Sequence, residues 1–304
     1  METLANKWRP QEFSDVIGQD VNTTILSTQI KNKSYSHAML FAGNAGCGKT
    51  TCAKIFANKI DGEIFELDCS KNNGVADIAH IIEIAEAAPI VHTYKVFILD
   101  ECHVLSSQAW PTLLITLEKS IPHSIFILCT TDTQKIPATI ISRVQRYNFV
   151  PISDKLIENR LHYICNEENI SIEDEAISII AHNSKNNMRQ ALTDLDKCML
   201  YGELNATNIR KVLNIVSDNI LEDVYEAVVN NNNEQIISLI NTLYDEGYEL
   251  HLFIKTFLEY CLNNLKDIHI IDTLLTINQD IKYDASPKSI IIARLLTWNI
   301  NKEN

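Results

Sequence analysis

Residues Gly43-Asn44-Ala45-Gly46-Cys47-Gly48-Lys49-Thr50 have the form G-x-x-x-x-G-K-T, and downstream the run VFILDE (96–101) ends in two adjacent carboxylates. Together these residue types meet the needs of a nucleoside triphosphate. Successive backbone N–H groups of a glycine loop can face phosphate oxygens at the N-terminus of the following helix, where the helix dipole favours negative charge. Lys49 is spaced for the β- and γ-phosphates and the Thr50 hydroxyl for Mg²⁺. Gly43, Gly46 and Gly48 carry no Cβ, so the chain can turn tightly there and approach a ligand. Asp100 completes the metal pair with Thr50, and Glu101 is placed to polarise an attacking water. A ligand-free glycine turn between strand and helix can have the same sequence. The context favours the phosphate loop: an apolar run precedes it, a helical pattern follows it, and the acidic pair lies at the right distance.

These residues need elements to position them. Apolar runs at 38–42, 63–67, 95–100, 124–129 and 146–150 alternate with helical patterns. That alternation predicts an α/β domain with a parallel five-stranded sheet and helices on both faces. The phosphate loop would leave the first strand, and Asp100 would end the third. Beyond Pro151 the pattern is helical throughout. Ser171-Ile172-Glu173-Asp174 reads as a capping-box start to a helix carrying Ala176, Ile177, Ile180 and Ala181. MRQALTDLDKCML (188–200) forms another amphipathic stripe, and a second break falls near Val216-Ser217-Asp218. A final helix is expected over Ser289–Thr297, following Pro287. The expected division is a nucleotide domain (1–151), a small helical domain (152–216) and a C-terminal all-helical domain (217–304).

With 304 residues and 46% apolar content, the chain can bury two or three ordinary cores. No apolar run is long enough for a membrane span, and METLANKWRPQEF has no apolar signal core, so a cytoplasmic protein is expected. The eight cysteines are scattered with no C-x-x-C pair, which points to core thiols in a reducing compartment and to no zinc knuckle. The net charge of −13 is unevenly spread: residues 1–150 balance at −2, and 151–304 hold the remaining −11. Attraction of the whole protein to DNA is therefore not expected, but a phosphate-tracking surface on the N-terminal half is compatible with its near-neutral charge.

Several motifs in a fixed order resemble one family: KWRPQEFSDVIGQD (7–20), SHAMLFAGNAGCGKTT (36–51), ELDCSKNNGVADI (66–78), YKVFILDECHVLSSQAWPTLLITLE (94–118), FILCTTDTQKIPATIISRVQRYNF (126–149) and NNMRQAL (186–192). The pattern is similar to the clamp-loader AAA+ ATPases, the gamma/tau subunits of bacterial DNA polymerase III and the small subunits of replication factor C. The resemblance covers nearly the whole chain, although the last ninety or so residues match by helical pattern more than by motif. It implies that the α/β domain is an AAA+ P-loop module, the small helical domain its lid, and the C-terminal domain an oligomerisation collar. It implies that Trp8, Arg9, Pro10, Val16 and Ile17 enclose the adenine of ATP, with Thr51 beside Thr50 in the phosphate site. Thr131 would be the sensor at the end of the fourth strand, and Arg189 the lid arginine facing phosphate. Arg143, in Ser142-Arg143-Val144 where the family has Ser-Arg-Cys, would act in trans on the ATP of a neighbouring subunit.

The resemblance further implies Mg²⁺ as cofactor and, as partners, a ring-shaped sliding clamp, primer–template DNA and other loader subunits in a homo- or hetero-oligomer, expected to be pentameric. DNA contacts would come from Ser70, Lys71, Asn72 and Asn73 and from Ser106, Ser107 and Gln108; ordinary helix capping is the other reading of these residues. Two departures stand out. Ile60-Asp61-Gly62-Glu63 runs straight into the second strand where the bacterial subunits carry a four-cysteine zinc insert, so no zinc is expected. The long C-terminal extension of tau has no counterpart in these residues, which suggests a minimal loader subunit from a bacterial or phage-infected cell. Asp100-Glu101-Cys102-His103 also spells a helicase box, but no second motor domain accompanies it. Another AAA+ replication ATPase (a helicase loader or branch-migration motor) and a non-catalytic loader subunit are the alternatives.

Overall fold

Five apolar runs become five parallel strands: β1 (Ala38–Ala42), β2 (Gly62–Asp68), β3 (Tyr94–Asp100), β4 (Ser124–Thr130) and β5 (Gln145–Asn148). The computed structural model describes residues 2–264, 266–283 and 286–298. The strands hydrogen-bond in the order β2-β3-β4-β1-β5. All of β1 and β4 is buried, as expected for central strands of a sheet covered on both faces. The register sets Ala42 of β1 and Leu99 of β3 beside Thr130 and Leu128 of β4. In a parallel sheet the C-terminal strand ends share one edge, so the loops after β1, β3 and β4 open towards the same crevice.

The chain divides into two compact units, Met1–Leu200 and Tyr201–Asn304. In the first unit, helices α1 (Leu4–Lys7), α2 (Asp20–Asn32), α3 (Lys49–Lys59), α4 (Val75–Glu86), α5 (Ala109–Lys119) and α6 (Ala138–Ile141) accompany the sheet. They are followed by α7 (Asp154–Glu167), α8 (Asp174–Asn183) and α9 (Met188–Met199). Period-two alternation separates the two faces of the sheet. Met39, Phe41, Val96, Ile98 and Ile127 pack with Leu26 of α2 and Ile55 and Phe56 of α3. Ala38, Leu40, Phe97, Leu99 and Leu128 pack with Ile78 and Ile81 of α4 and Leu113 and Leu117 of α5. Phe65, Phe97 and Phe126 stack across three neighbouring strands with ring centres 5.1 and 5.0 Å apart. Each fully buried side chain of this size contributes roughly 1.5–3 kcal/mol.

Among the described residues, the regular elements of the second unit are helices: α10 (Ala206–Leu213), α11 (Asp218–Val229), α12 (Asn233–Asp245), α13 (Leu250–Asn263), α14 (Ile268–Asp280) and α15 (Pro287–Thr297). Its core gathers one stripe from each long helix, including Val224, Ile240, Phe253, Phe257, Leu274 and Ile291. Among the described residues, no helix is long and apolar enough to cross a membrane.

Local departures from the sequence reading have identifiable causes. β5 ends at Asn148 because its partner β1 ends at Ala42: the Phe149 N–H makes the last ladder bond, to Ala42 O, and the Val150 N–H goes to the Gln19 side chain. α8 begins at Asp174 and not at a Ser171 cap. Glu173 is the N-cap residue, its carbonyl receives the Ile177 N–H, and Asp174 and Glu175 supply the favourable first-turn charge. Pro287 is the first residue of α15 and does not precede it, since a helix's first N–H has no intrahelical partner to lose.

Candidate nucleotide site

The loop between β1 and α3 is shaped by Gly46 and Gly48, whose φ angles of 70° and 102° suit glycine. A Cβ on Gly46 would also collide with the side chain of Asn187, which caps α9 by accepting the Gln190 N–H. The phosphate loop and the start of α9 therefore touch, and only glycine fits the gap. Lys49 is the first residue of α3 and is only 6% exposed. Its ammonium donates to Gly43 O at 2.8 Å and Asn44 O at 2.7 Å, partners it can exchange for phosphate oxygens. Thr50 Oγ1 donates to Asp100 Oδ2 at 2.9 Å, so hydroxyl and carboxylate already sit as neighbours. Hard oxygen donors of this kind, completed by phosphate and water, fit Mg²⁺.

Glu101 occupies the left-handed region, with φ 50° and ψ 42°, a conformation uncommon for a residue with a side chain. Thr131 Oγ1 donates to Glu101 Oε2 at 2.9 Å, and His103 Nδ1 lies 3.2 Å from the same oxygen. Thr131 follows the last residue of β4, so neighbouring strand ends deliver the acidic pair and the threonine to one place.

One cleft of about 1040 Å³, its open mouth included, is bounded by the phosphate loop, the N-terminal arm and helices α7 and α9. Trp8, Arg9, Pro10, Val16 and Ile17 line it, as do Ala45 to Thr51, Asp100, Glu101 and Arg189. Gly43 and Asn44 do not line it but contribute the carbonyls that hold Lys49. The arm is fastened to the helical segment. Trp8 Nε1 donates to Glu168 Oε1 at 2.7 Å, Lys7 pairs with Glu168 at 2.7 Å, and Leu4 N donates to Asp196 Oδ2 at 2.9 Å. Hydrogen bonds from Lys7, first, and then Trp8 hold the Glu168 carboxyl below the usual carboxylate range, whereas burial raises that of Asp196. Arg9 Nε donates to Thr51 Oγ1 at 3.3 Å.

Sequence reasoning missed Arg160. This residue of α7 lines the cleft, its guanidinium carbon 5.8 Å from the Trp8 ring centre and 5.1 Å from that of Tyr163. In the sequence it looks like any solvent-facing arginine of an amphipathic helix, and only the packing of the arm onto α7 brings it to the cleft. With Arg9, Lys49 and Arg189 it gives the cleft four cations against Asp15, Asp100 and Glu101, in a chain of net charge −13. Such a local excess favours a polyanion. Cys47 is buried in the loop, and burial raises its thiol; Cys52 behind it is pushed up to about 12. Both are neutral packing groups, not nucleophiles.

Arg143 is not brought to this cleft. It sits just after α6, 39% exposed, and pairs with Glu118 at 2.7 Å while donating to Thr139 O and Ser142 Oγ. The two polar loops meet each other, Ser106 N donating to Asn73 O at 3.0 Å. Capping does not occupy them. Gly74 is the N-cap of α4, and Gln108, the N-cap of α5, makes no side-chain cap bond. Ser70 and Lys71 are held by Asp68, Asn72 Nδ2 lies 3.5 Å from Asp68 O, and Ser107 and Gln108 are exposed. Only Ile60 and Asp61 separate α3 from β2. All eight cysteines are buried free thiols.

Residues 39–152 match the model of the ATPase family associated with various cellular activities (AAA), and 159–200 match the RCF1/5-like AAA+ ATPase lid domain. The chain is 34% identical over 285 residues to DNA polymerase III subunit tau of Bacillus subtilis, an alignment covering 85% of this chain and 51% of that one. It is a gamma/tau-like AAA+ protein. Subunit gamma/tau of Mycoplasma genitalium is 31% identical, covering 90% of this chain and 51% of the relative. Subunit tau of Escherichia coli is 31% identical, covering 82% and 43%. The chain thus spans about half the length of the relatives it matches. Among solved structures, the Holliday junction branch migration motor RuvB of Thermotoga maritima aligns with a TM-score of 0.57 at 20% identity, covering 73% of this chain and 79% of that one. That likeness shows the fold alone. The gamma/tau-like sequence and the AAA and lid matches agree with the observed sheet, phosphate loop and helices.

Proposed function

We propose that the chain is an ATP-hydrolysing motor subunit of a clamp loader, opening a sliding clamp and placing it on primer–template DNA. One observation carries the reading: Lys49, Thr50, Asp100 and Glu101 stand together with Arg189 around a single cationic cleft, in a chain homologous to gamma/tau. Lys49 binds the β- and γ-phosphates, and Thr50 and Asp100 would hold Mg²⁺. The ion, when bound, neutralises charge developing on the transferred phosphoryl group. Glu101 and Thr131 orient the attacking water, Arg189 meets phosphate from α9, and the arm residues Trp8, Arg9, Pro10, Val16 and Ile17 enclose the base.

In this reading residues 1–151 form the AAA+ module, 152–216 its lid and 217–304 a collar for a homo- or hetero-oligomer, with a pentamer as the working stoichiometry. Arg143 reaches the ATP of the neighbouring subunit, which its exposed position outside the chain's own cleft supports. The exposed loops 70–73 and 106–108 contact DNA phosphates. Nucleotide bridging the interfaces stabilises the clamp-opening arrangement, and hydrolysis stimulated by DNA and clamp releases it, a population shift driven by differential binding.

The test is native mass spectrometry of the tagged chain, purified from its own cells with a slowly hydrolysed ATP analogue. A complex of several AAA+ subunits with a ring-shaped clamp is expected. A hexamer without a clamp, or a replicative helicase as main companion, would overturn the loader assignment.

A further inference from the structure

His103 belongs to no part of the phosphate loop or metal pair, yet it is held against Glu101. It lies in the 3-10 turn Cys102–Val104, anchored by Cys102, which is fully buried, and by the Val104 N–H on Glu101 O. Its side chain is 13% exposed, with Nδ1 3.2 Å from Glu101 Oε2 and 3.3 Å from Thr130 Oγ1. Thr130 Oγ1 donates to Asp132 O at 3.0 Å and accepts the Asp132 N–H at 3.0 Å. The single hydroxyl proton of Thr130 is thereby committed, and a carboxylate oxygen can only accept. Both neighbours require a donor at Nδ1, so the imidazole carries its proton there.

Glu101 Oε2 therefore receives two donors, Thr131 Oγ1 and His103 Nδ1. Glu101 Oε1 has no protein partner among the described residues. The left-handed backbone at Glu101 turns its carboxylate back under its own 3-10 turn, which is how a residue two positions later can hold it.

We propose that His103 is a positioning residue for ATP hydrolysis: its Nδ1–H fixes Glu101 Oε2, so that Oε1 is presented to the attacking water. The inference rests on the reading of Glu101 as the water-polarising group. His103 takes no proton from substrate; it restricts the carboxylate to one orientation. A carboxylate held by Thr131 alone can rotate, and misplacement of a catalytic group by about 1 Å costs on the order of 10²-fold.

The experiment measures ATP turnover and ATP affinity of the full chain, purified with its native partner subunits, for His103→Leu, His103→Asn, His103→Gln and Glu101→Gln. His103→Leu should lower kcat on the order of 10- to 100-fold with affinity changed less than about 3-fold. His103→Asn should recover most of the loss, because its amide donor stands where Nδ1 stood. His103→Gln, with its donor further out, should not. In a Glu101→Gln background, His103→Leu should have no additional effect. Equal damage by all three His103 variants would mark a structural role and overturn the proposal, as would unchanged or faster turnover of His103→Leu. Full activity of Glu101→Gln would instead overturn the reading on which the proposal rests.

Discussion

The cleft and the Arg143 surface make opposite use of basic side chains. In the cleft, Lys49 is buried on backbone carbonyls, and Arg9, Arg160 and Arg189 have no carboxylate ion pair among the described residues. At the surface, Arg143 is exposed and already paired with a carboxylate, Glu118. The first arrangement is built for a polyanion that enters, since no charge must be displaced before phosphate arrives. The second is complete as it stands and lies outside the chain's own cleft. The difference separates the groups proposed to bind phosphate and metal within one chain from the arginine proposed to act on the nucleotide of a second chain.

Removing the central cation should break the comparison at its strongest point. Lys49→Ala is expected to weaken ATP binding on the order of 100-fold or more, because charge-assisted bonds to phosphate are lost together. Titration with a fluorescent ATP analogue measures this, and unchanged affinity would remove the cleft from consideration as the nucleotide site. Arg143→Ala should leave that titration unchanged, yet lower turnover of the assembled complex by about 10³-fold, the low end of the range for arginine fingers. The same variant with full turnover in the complex would return Arg143 to being an ordinary surface residue.

Arg160→Ala is a subtler probe. Its guanidinium helps hold Trp8 against α7, so its loss should weaken ATP binding by about 3- to 10-fold, in line with a cation–π contact of roughly 0.5–1 kcal/mol plus one cation fewer in the cleft. An equal loss of affinity for ADP and ATP would place Arg160 by the base. A loss confined to ATP would place it by the γ-phosphate.

Legibility in the sequence follows the same divide between local and non-local features. β1, the phosphate loop and the start of α3 were readable because strand, turn and helix signals are contiguous there. Asp100 and Glu101 were readable because a buried strand ending in two acids is a dense local pattern. Arg160 and Asn187 were not, since their importance depends on packing between segments more than a hundred residues apart. His103 was close at hand in the chain but silent: nothing in DECH says that the backbone at Glu101 is left-handed and folds the carboxylate back onto it. α8 shows the converse, a plausible capping signal at Ser171 overruled by extended backbone up to Glu173. The second unit could be read only as amphipathic helices, because a helical core of interchangeable apolar residues carries no chemistry in its spacing.

The smallest expected effect sharpens the contrast most. Glu118 and Arg143 are 48% and 39% exposed, and an ion pair of that kind contributes roughly 0.2–1 kcal/mol. Glu118→Gln should therefore change the thermal midpoint of the chain very little. In the assembled complex the two possible roles of Glu118 give opposite signs. If the carboxylate competes with a neighbour's γ-phosphate for Arg143, its removal should raise turnover by about 2-fold, the kinetic equivalent of roughly 0.5 kcal/mol. If the carboxylate instead holds Arg143 pointing outwards in readiness, turnover should fall. The Arg143 guanidinium donates to both Thr139 O and Ser142 Oγ, bonds that remain in the variant and keep its orientation. That residual tethering favours competition, so the modest rise is expected, and it should vanish in the Arg143→Ala background.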